Sequence, residues 1–121
     1  WSSDVCSSDL PTKDGTCIRD YIHVADLADA HLAALKEVEN GIVDEVFNVG
    51  SGTGYSVKEM LDQMSTTMGV DLAPKIVGRR AGDTPQLIAS IAKIEKVLGW
   101  RPKLTLKEMI DSSWAAEKAN S

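Results

Sequence analysis

The chain has 121 residues, 43% of them apolar and 26% charged, which bounds it to one domain, or a piece of one, of ordinary globular composition. A net charge of -5, with no basic run longer than Arg79-Arg80, speaks against a nucleic-acid surface. No apolar run approaches the length of a bilayer span, so the expectation is a cytoplasmic protein with no membrane partner.

Residues 1–10, WSSDVCSSDL, show no periodicity and have little to bury. DVCSSDL resembles the translation of a sequencing-library adapter joined to a truncated reading frame; a native disordered terminus is the alternative. The expected division is therefore a non-native or disordered leader over 1–10 and a folded portion over 11–121. Cys6 and Cys17 make neither a disulfide framework nor a metal site, and Cys17 reads as core.

Pro11 to Thr16, with Asp14-Gly15, is a turn leading into a predicted strand at Tyr21-Ile22-His23-Val24. Asp26 is the expected N-cap of a helix over roughly 27–38, whose Leu27, Ala30, Ala34, Leu35 and Val38 form a core-facing stripe ended by Asn40-Gly41. Glu45 to Val49 predicts a second strand. Ser56 and Glu59 form a capping box for a helix that presents Val57, Met60, Leu61, Met64 and Met68 on one face and stops at Gly69.

Pro74 to Val77 predicts a third strand, followed by the polar loop Gly78 to Asp83. Ser90 is the expected cap of a short helix burying Ile91, Ile94, Val97 and Leu98 and closed by Gly99. The Trp100 indole is expected to pack on that helix. Thr105 and Glu108 form a second capping box for a last helix burying Leu106, Met109, Ile110 and Trp114. Three short strands and four helices read as α/β, and so small a sheet leaves a face and an edge for another part of a larger protein to cover.

Two places carry candidate chemistry. Arg80 and Asp83 lie in a glycine-containing loop after a strand, where doubly wound folds place ligand contacts; the Arg suits a phosphate and the Asp suits sugar hydroxyls. The plain alternative is a surface ion pair of little energy. Arg19, fixed by its strand, is an anion anchor in one reading and a salt-bridge partner of Asp20 or Asp26 in the other. Tyr21 and His23 read as packing and hydrogen-bonding residues. Gly50-Ser51-Gly52-Thr53-Gly54 imitates a dinucleotide turn, but its spacing is GxGxG rather than GxGxxG, so a tight strand-to-helix turn is preferred.

RDYIHVADLADAHLAAL (19–35) closely resembles the segment that UDP-glucose 4-epimerases carry after their Rossmann core, and GRRAGDTPQLIAS (78–90) is a second match. Those enzymes are extended short-chain dehydrogenase/reductases that bind NAD. The resemblance runs from about Pro11 to Trp114 and corresponds to the C-terminal third of such an enzyme. It implies an α/β fragment comprising the last sheet strands and the small substrate-binding lobe. The implied parent activity is interconversion of UDP-glucose and UDP-galactose by NAD-dependent oxidation and reduction at C4.

On this resemblance Arg19 and Arg80 clamp the UDP diphosphate, and Ala81, Gly82 and Asp83 complete the loop that holds diphosphate and ribose. Leu87 stands at the sugar gate, where a bulky residue crowds the C2 substituent and favours UDP-glucose and UDP-galactose over N-acetylated sugars; a plain core leucine is the alternative. No catalytic, cofactor-binding or metal-binding residue is assigned within the chain. The NAD glycines of the family lie outside it, and neither Tyr21 nor Tyr55 has a Lys four residues on. The expected fragment is inactive alone and binds UDP-sugar weakly or not at all. The parent is expected to be a homodimer through helices the fragment lacks. Alternatives are another nucleotide-sugar epimerase or dehydratase of the superfamily, or a non-catalytic nucleotide-binding module.

Overall fold

The computed structural model describes residues 4–5, 9–41 and 44–121. In chain order the elements are β1 (Asp4–Val5), β2 (Ile18–Arg19), α1 (Val24–Glu39), β3 (Tyr55–Ser56), α2 (Val57–Met68), β4 (Lys75–Ile76), β5 (Gln86–Leu87), α3 (Ala92–Leu98) and α4 (Leu106–Asn120). The four helices expected from apolar spacing are all present, and the chain is α/β. The strands differ from expectation.

β2 is the middle of a three-stranded sheet, antiparallel to β3 and parallel to β5, with Arg19 opposite Tyr55 on one side and Leu87 on the other. It lies ahead of the predicted 21–24 strand because the chain turns into a helix there. His23, not Asp26, is the N-cap: its Nδ1 accepts from the Ala25 N–H at 2.9 Å, and α1 starts at Val24, a turn early. Asp26 is 4% exposed in the first turn and accepts from the N–H groups of Lys103 and Leu104 at 3.0 and 2.9 Å, tying α1 to the segment before α4. A carboxylate there also faces the positive end of the helix.

Residues 45–49 form no ladder. They keep the alternation of an extended segment: Phe47 and Val49 pack on the core, whereas Val46 is 80% exposed. Lys93 fastens this segment, donating to the Val46 carbonyl at 2.9 Å, pairing with Glu45 at 2.6 Å and lying over the Phe47 ring. β4 falls inside the predicted 74–77 strand and pairs in parallel with β1, within the expected leader. Leu10 is buried as well. The rest of the leader's sequence, residues 1–3 and 6–8 with Cys6 among them, lies outside the described residues.

The core is built on Ala30 of α1, Ile94 of α3 and Trp100, with Ile22, Ala33, Phe47, Val49, Ile91 and Leu98 packed around it. Ile94 is 1% exposed, and a fully buried side chain of that size contributes roughly 1.5–3 kcal/mol. Trp100 packs on α3 as its position after Gly99 predicts. Ile91 rather than Ser90 occupies the cap of α3 and makes no side-chain cap bond, and Val97 is 38% exposed instead of buried. The stripe of α1 is buried only in part, since Leu35 and Val38 are 56% and 52% exposed.

Both capping boxes form, at Ser56–Glu59 and Thr105–Glu108, and Gly69 and Gly99 end their helices in the left-handed conformation. The apolar face of α2 packs on α4, and Thr67 Oγ1 donates across the pair to Asp111 at 2.8 Å. Cys17 is buried, as expected.

Candidate functional site

Arg19 stands at the end of the central strand, and its side chain reaches the segment that leads into β5. The Nη1 group donates to its own strand's Ile18 carbonyl and to the Thr84 carbonyl, both at 2.9 Å. The two carboxylates considered as its ion-pair partners are occupied elsewhere, Asp26 by backbone N–H groups near α4 and Asp20 as described below. The guanidinium is therefore held by carbonyl oxygens, one of them on the residue after Asp83, and among the described residues no carboxylate pairs with it.

Arg80 to Asp83 forms a turn closed by the Asp83 N–H on the Arg80 carbonyl at 3.3 Å. Gly82 sits in it at φ 87°, a conformation that L side chains rarely adopt, with open space where a Cβ would be. Arg80, Ala81 and Gly82 are exposed. Asp83 is half-buried, and its Oδ2 is buried with no hydrogen-bond partner among the described residues. A buried carboxylate oxygen with no donor is costly unless something supplies one. Leu87 is 64% exposed beside Arg19 in the ladder, so it is not a core leucine. The ladder thus sets Arg19 beside Leu87, and the Thr84 carbonyl that Arg19 holds directly follows the 80–83 turn.

Asp20 was read from the sequence only as a partner for Arg19. Its Oδ1 accepts from the Ser51 N–H and hydroxyl, both at 2.6 Å, and its Oδ2 accepts from the Ala89 N–H at 3.0 Å and the Gly52 N–H at 3.2 Å. Burial pushes its carboxyl up, but the bonds from Ser51, Ala89 and Gly52 outweigh this and hold it below the usual value. The available signal was an acid beside a short strand together with a glycine-serine turn rich in free N–H groups.

This arrangement explains the GxGxG turn. A Cβ on Gly50 would lie within van der Waals overlap of Asp20 and Ala89, one on Gly52 would meet Ile91, and one on Gly54 would meet Ile88 and Ile18. The glycines make room for this chain's own side chains, and the turn amides already bind Asp20. The Ser51 and Gly52 amides go to Asp20 and the Thr53 amide to Ser51 Oγ, so none of the three is turned to a dinucleotide pyrophosphate.

Asp14 organises the other end of β2. It accepts from the Thr16 N–H and hydroxyl at 2.9 and 2.7 Å and from the Ser56 hydroxyl. Burial raises its carboxyl, and the bonds from Ser56 and Thr16 with the nearby Lys58 charge bring it below the ordinary value. His23 is a clasp: with Nδ1 accepting, Nε2 carries the proton and faces Ser112 Oγ at 2.9 Å, whose own hydrogen goes to the Met109 carbonyl. Its role is hydrogen bonding between helices, as its place in an apolar run suggests.

Residues 6–50 match the NAD dependent epimerase/dehydratase family. Over 116 residues the chain is 43% identical to a UDP-glucose 4-epimerase of Bacillus subtilis, covering 96% of this chain and 34% of that protein. The chain is similar along nearly its whole length to UDP-glucose 4-epimerase. Among solved structures of it, a UDP-glucose 4-epimerase from Stenotrophomonas maltophila with bound NAD and formylated UDP-arabinopyranose superposes at a TM-score of 0.92, with 36% identity over 98% of this chain and 35% of that one. Another, from Bifidobacterium longum in complex with NAD+ and UDP, gives a TM-score of 0.83 at 38% identity, over 98% of this chain and 36% of that one. The α/β fold seen here matches the C-terminal part of those Rossmann-type enzymes. The chain spans about a third of the length of the curated relatives it matches (34% of the first three). Among the described residues, no helix is long and apolar enough to cross a membrane.

Proposed function

We propose that the chain supplies the UDP-sugar contacts of a UDP-glucose 4-epimerase, the NAD-dependent enzyme that interconverts UDP-glucose and UDP-galactose at C4. The observation that carries this reading is the Arg19 guanidinium, held at 2.9 Å by the carbonyl of Thr84, the residue after Asp83, whose Oδ2 has no hydrogen-bond partner among the described residues. Arg19 presents its Nε and Nη2 hydrogens, and Arg80 its own fork, to a diphosphate. Asp83 accepts from ribose or sugar hydroxyls, and the Ala81-Gly82 backbone lets the ligand approach closely. Leu87 crowds the C2 position of the sugar.

These residues bind and orient the nucleotide sugar but hold no proton and accept no hydride. NAD supplies the hydride chemistry in the whole enzyme. The assembly we propose for that enzyme is a cytoplasmic homodimer, joined through helices outside this chain. The isolated chain is accordingly inactive and binds UDP weakly.

A UDP titration of the 15N-labelled chain, followed at the arginine Nε–H resonances, tests the site, and a coupled UDP-galactose assay tests the chemistry. The expected result is movement of Arg19 and Arg80 at millimolar ligand without turnover. Resonances that stay in place, or epimerisation at an enzyme's full rate, would refute the reading. Profiling UDP-sugars in the same titration separates this substrate class from those of other superfamily members.

A further inference from the structure

A two-residue strand holds its register poorly, yet β2 has to fix Arg19 between Tyr55 of β3 and Leu87 of β5. What closes both sides lies one residue on. The Asp20 carboxylate binds Ser51 and Gly52, which lead into β3, and Ala89, which follows β5. One side chain therefore joins three segments, separated by 31 and 69 residues in sequence, where the backbone ladder stops. Gly50, lacking a Cβ, is what lets the carboxylate sit between the flanks. Among the described residues no ion pair engages Asp20, so its charge serves these N–H and O–H donors alone.

We propose that Asp20 is a positioning residue for the nucleotide-sugar site, an inference that rests on the function proposed above. It touches no ligand. Its carboxylate sets the spacing between Arg19 and the wall formed by the 80–83 turn and Leu87. An amide in its place keeps the shape but turns one acceptor edge into a donor that faces two donors. Either the Ser51 side or the Ala89 side is then released, and the anion site widens.

The test compares UDP titrations, read at the Arg19 and Arg80 Nε–H resonances, in the wild-type chain and three variants. Asp20→Asn is expected to weaken UDP binding about tenfold or more, equivalent to at least about 1.4 kcal/mol. Ser51→Ala, which removes one of the four bonds and leaves the fold, is expected to fall between Asp20→Asn and wild type. Asp14→Asn removes a comparable set of bonds at the opposite end of β2. It is expected to lower the urea midpoint and leave UDP affinity unchanged, a separation that a merely structural Asp20 would not produce.

Wild-type affinity in folded Asp20→Asn overturns the proposal. If Asp20→Asn does not fold, Ser51→Ala decides, and wild-type affinity there overturns it equally. A wild-type chain whose arginine resonances ignore UDP refutes the proposed function itself and takes this inference with it, before any variant is examined.

Discussion

Gly50→Ala is the sharpest test of how the centre of this fold is built. The backbone at Gly50 is not left-handed, so the cost of a side chain there is purely one of space. Its Cβ would lie 2.9 Å from Ala89 Cβ and closer still to Asp20 Oδ2, about 1 Å short of the 3.4 Å at which ordinary contact begins. A carboxylate pushed back by that distance cannot keep all four of its bonds, which run from 2.6 to 3.2 Å. Bonds to a charged group are worth about 1.5–3 kcal/mol each, and overpacking costs about 1–3 kcal/mol. Loss of one or two bonds, discounted because Asp20 is only half-buried, gives about 2–4 kcal/mol.

Gly69→Ala is the control. Gly69 is left-handed at φ 69° with nothing near its missing Cβ, so alanine there costs only the backbone conformation, about 1–2 kcal/mol. Urea denaturation followed by circular dichroism reads both. With a slope of about 2 kcal/mol per molar, mid-range for urea, Gly50→Ala lowers the midpoint by about 1–2 M. A Gly50→Ala midpoint within experimental error of wild type, or above that of Gly69→Ala, would refute the crowding argument.

Other outcomes follow from the same coordinates. Ile94→Ala opens a cavity beside Trp100 and costs about 2–5 kcal/mol, measured by urea with Trp100 fluorescence as a second probe. Asp14 and Asp20 are both held below their reference value of 3.8 in the fold. Their stabilisation is therefore complete above that pH and lost as pH falls through the lower folded values. Urea midpoints should drop steeply in acid, and more gently in Asp20→Asn. His23→Ala removes the cap of α1 and should cost about 1 kcal/mol, with faster amide exchange at Ala25 as the local signature. Leu87→Ser should improve binding of UDP-N-acetylglucosamine relative to UDP-glucose in the arginine titration; an unchanged ratio counts against the gate.

The helix ends at Ser56, Gly69, Gly99 and Thr105 were legible because their signals are local. Ser56 with Glu59, Thr105 with Glu108, and the glycines after α2 and α3 decide their conformation within a few residues. The strands were not, since β2 exists through Leu87 and Tyr55, whose pairing depends on chain far away in sequence. Asp26 was misassigned for a related reason: an acid near a helix start looks like a cap until the segment at Lys103 and Leu104 is known to pass over it. Arg19, Arg80, Asp83 and Leu87 were legible as candidates from the two matching motifs. Their support by Asp20 was not, because charge patterning pairs acids with bases and says nothing of an acid that gathers backbone N–H groups. Leu35 and Val38 show the same limit, since helical spacing defines a stripe without naming what covers it.

The outer turns of α1 carry a practical consequence for every measurement above. Leu32, Leu35 and Val38 stand open to water at 62%, 56% and 52% exposure along successive turns of one helix. Two molecules meeting along that ridge would each shield the other's, so pairing competes with dilution, and midpoints read at high concentration blend folding with self-association. Melting curves for this chain should accordingly be collected as a dilution series, and the intrinsic value taken where they stop shifting.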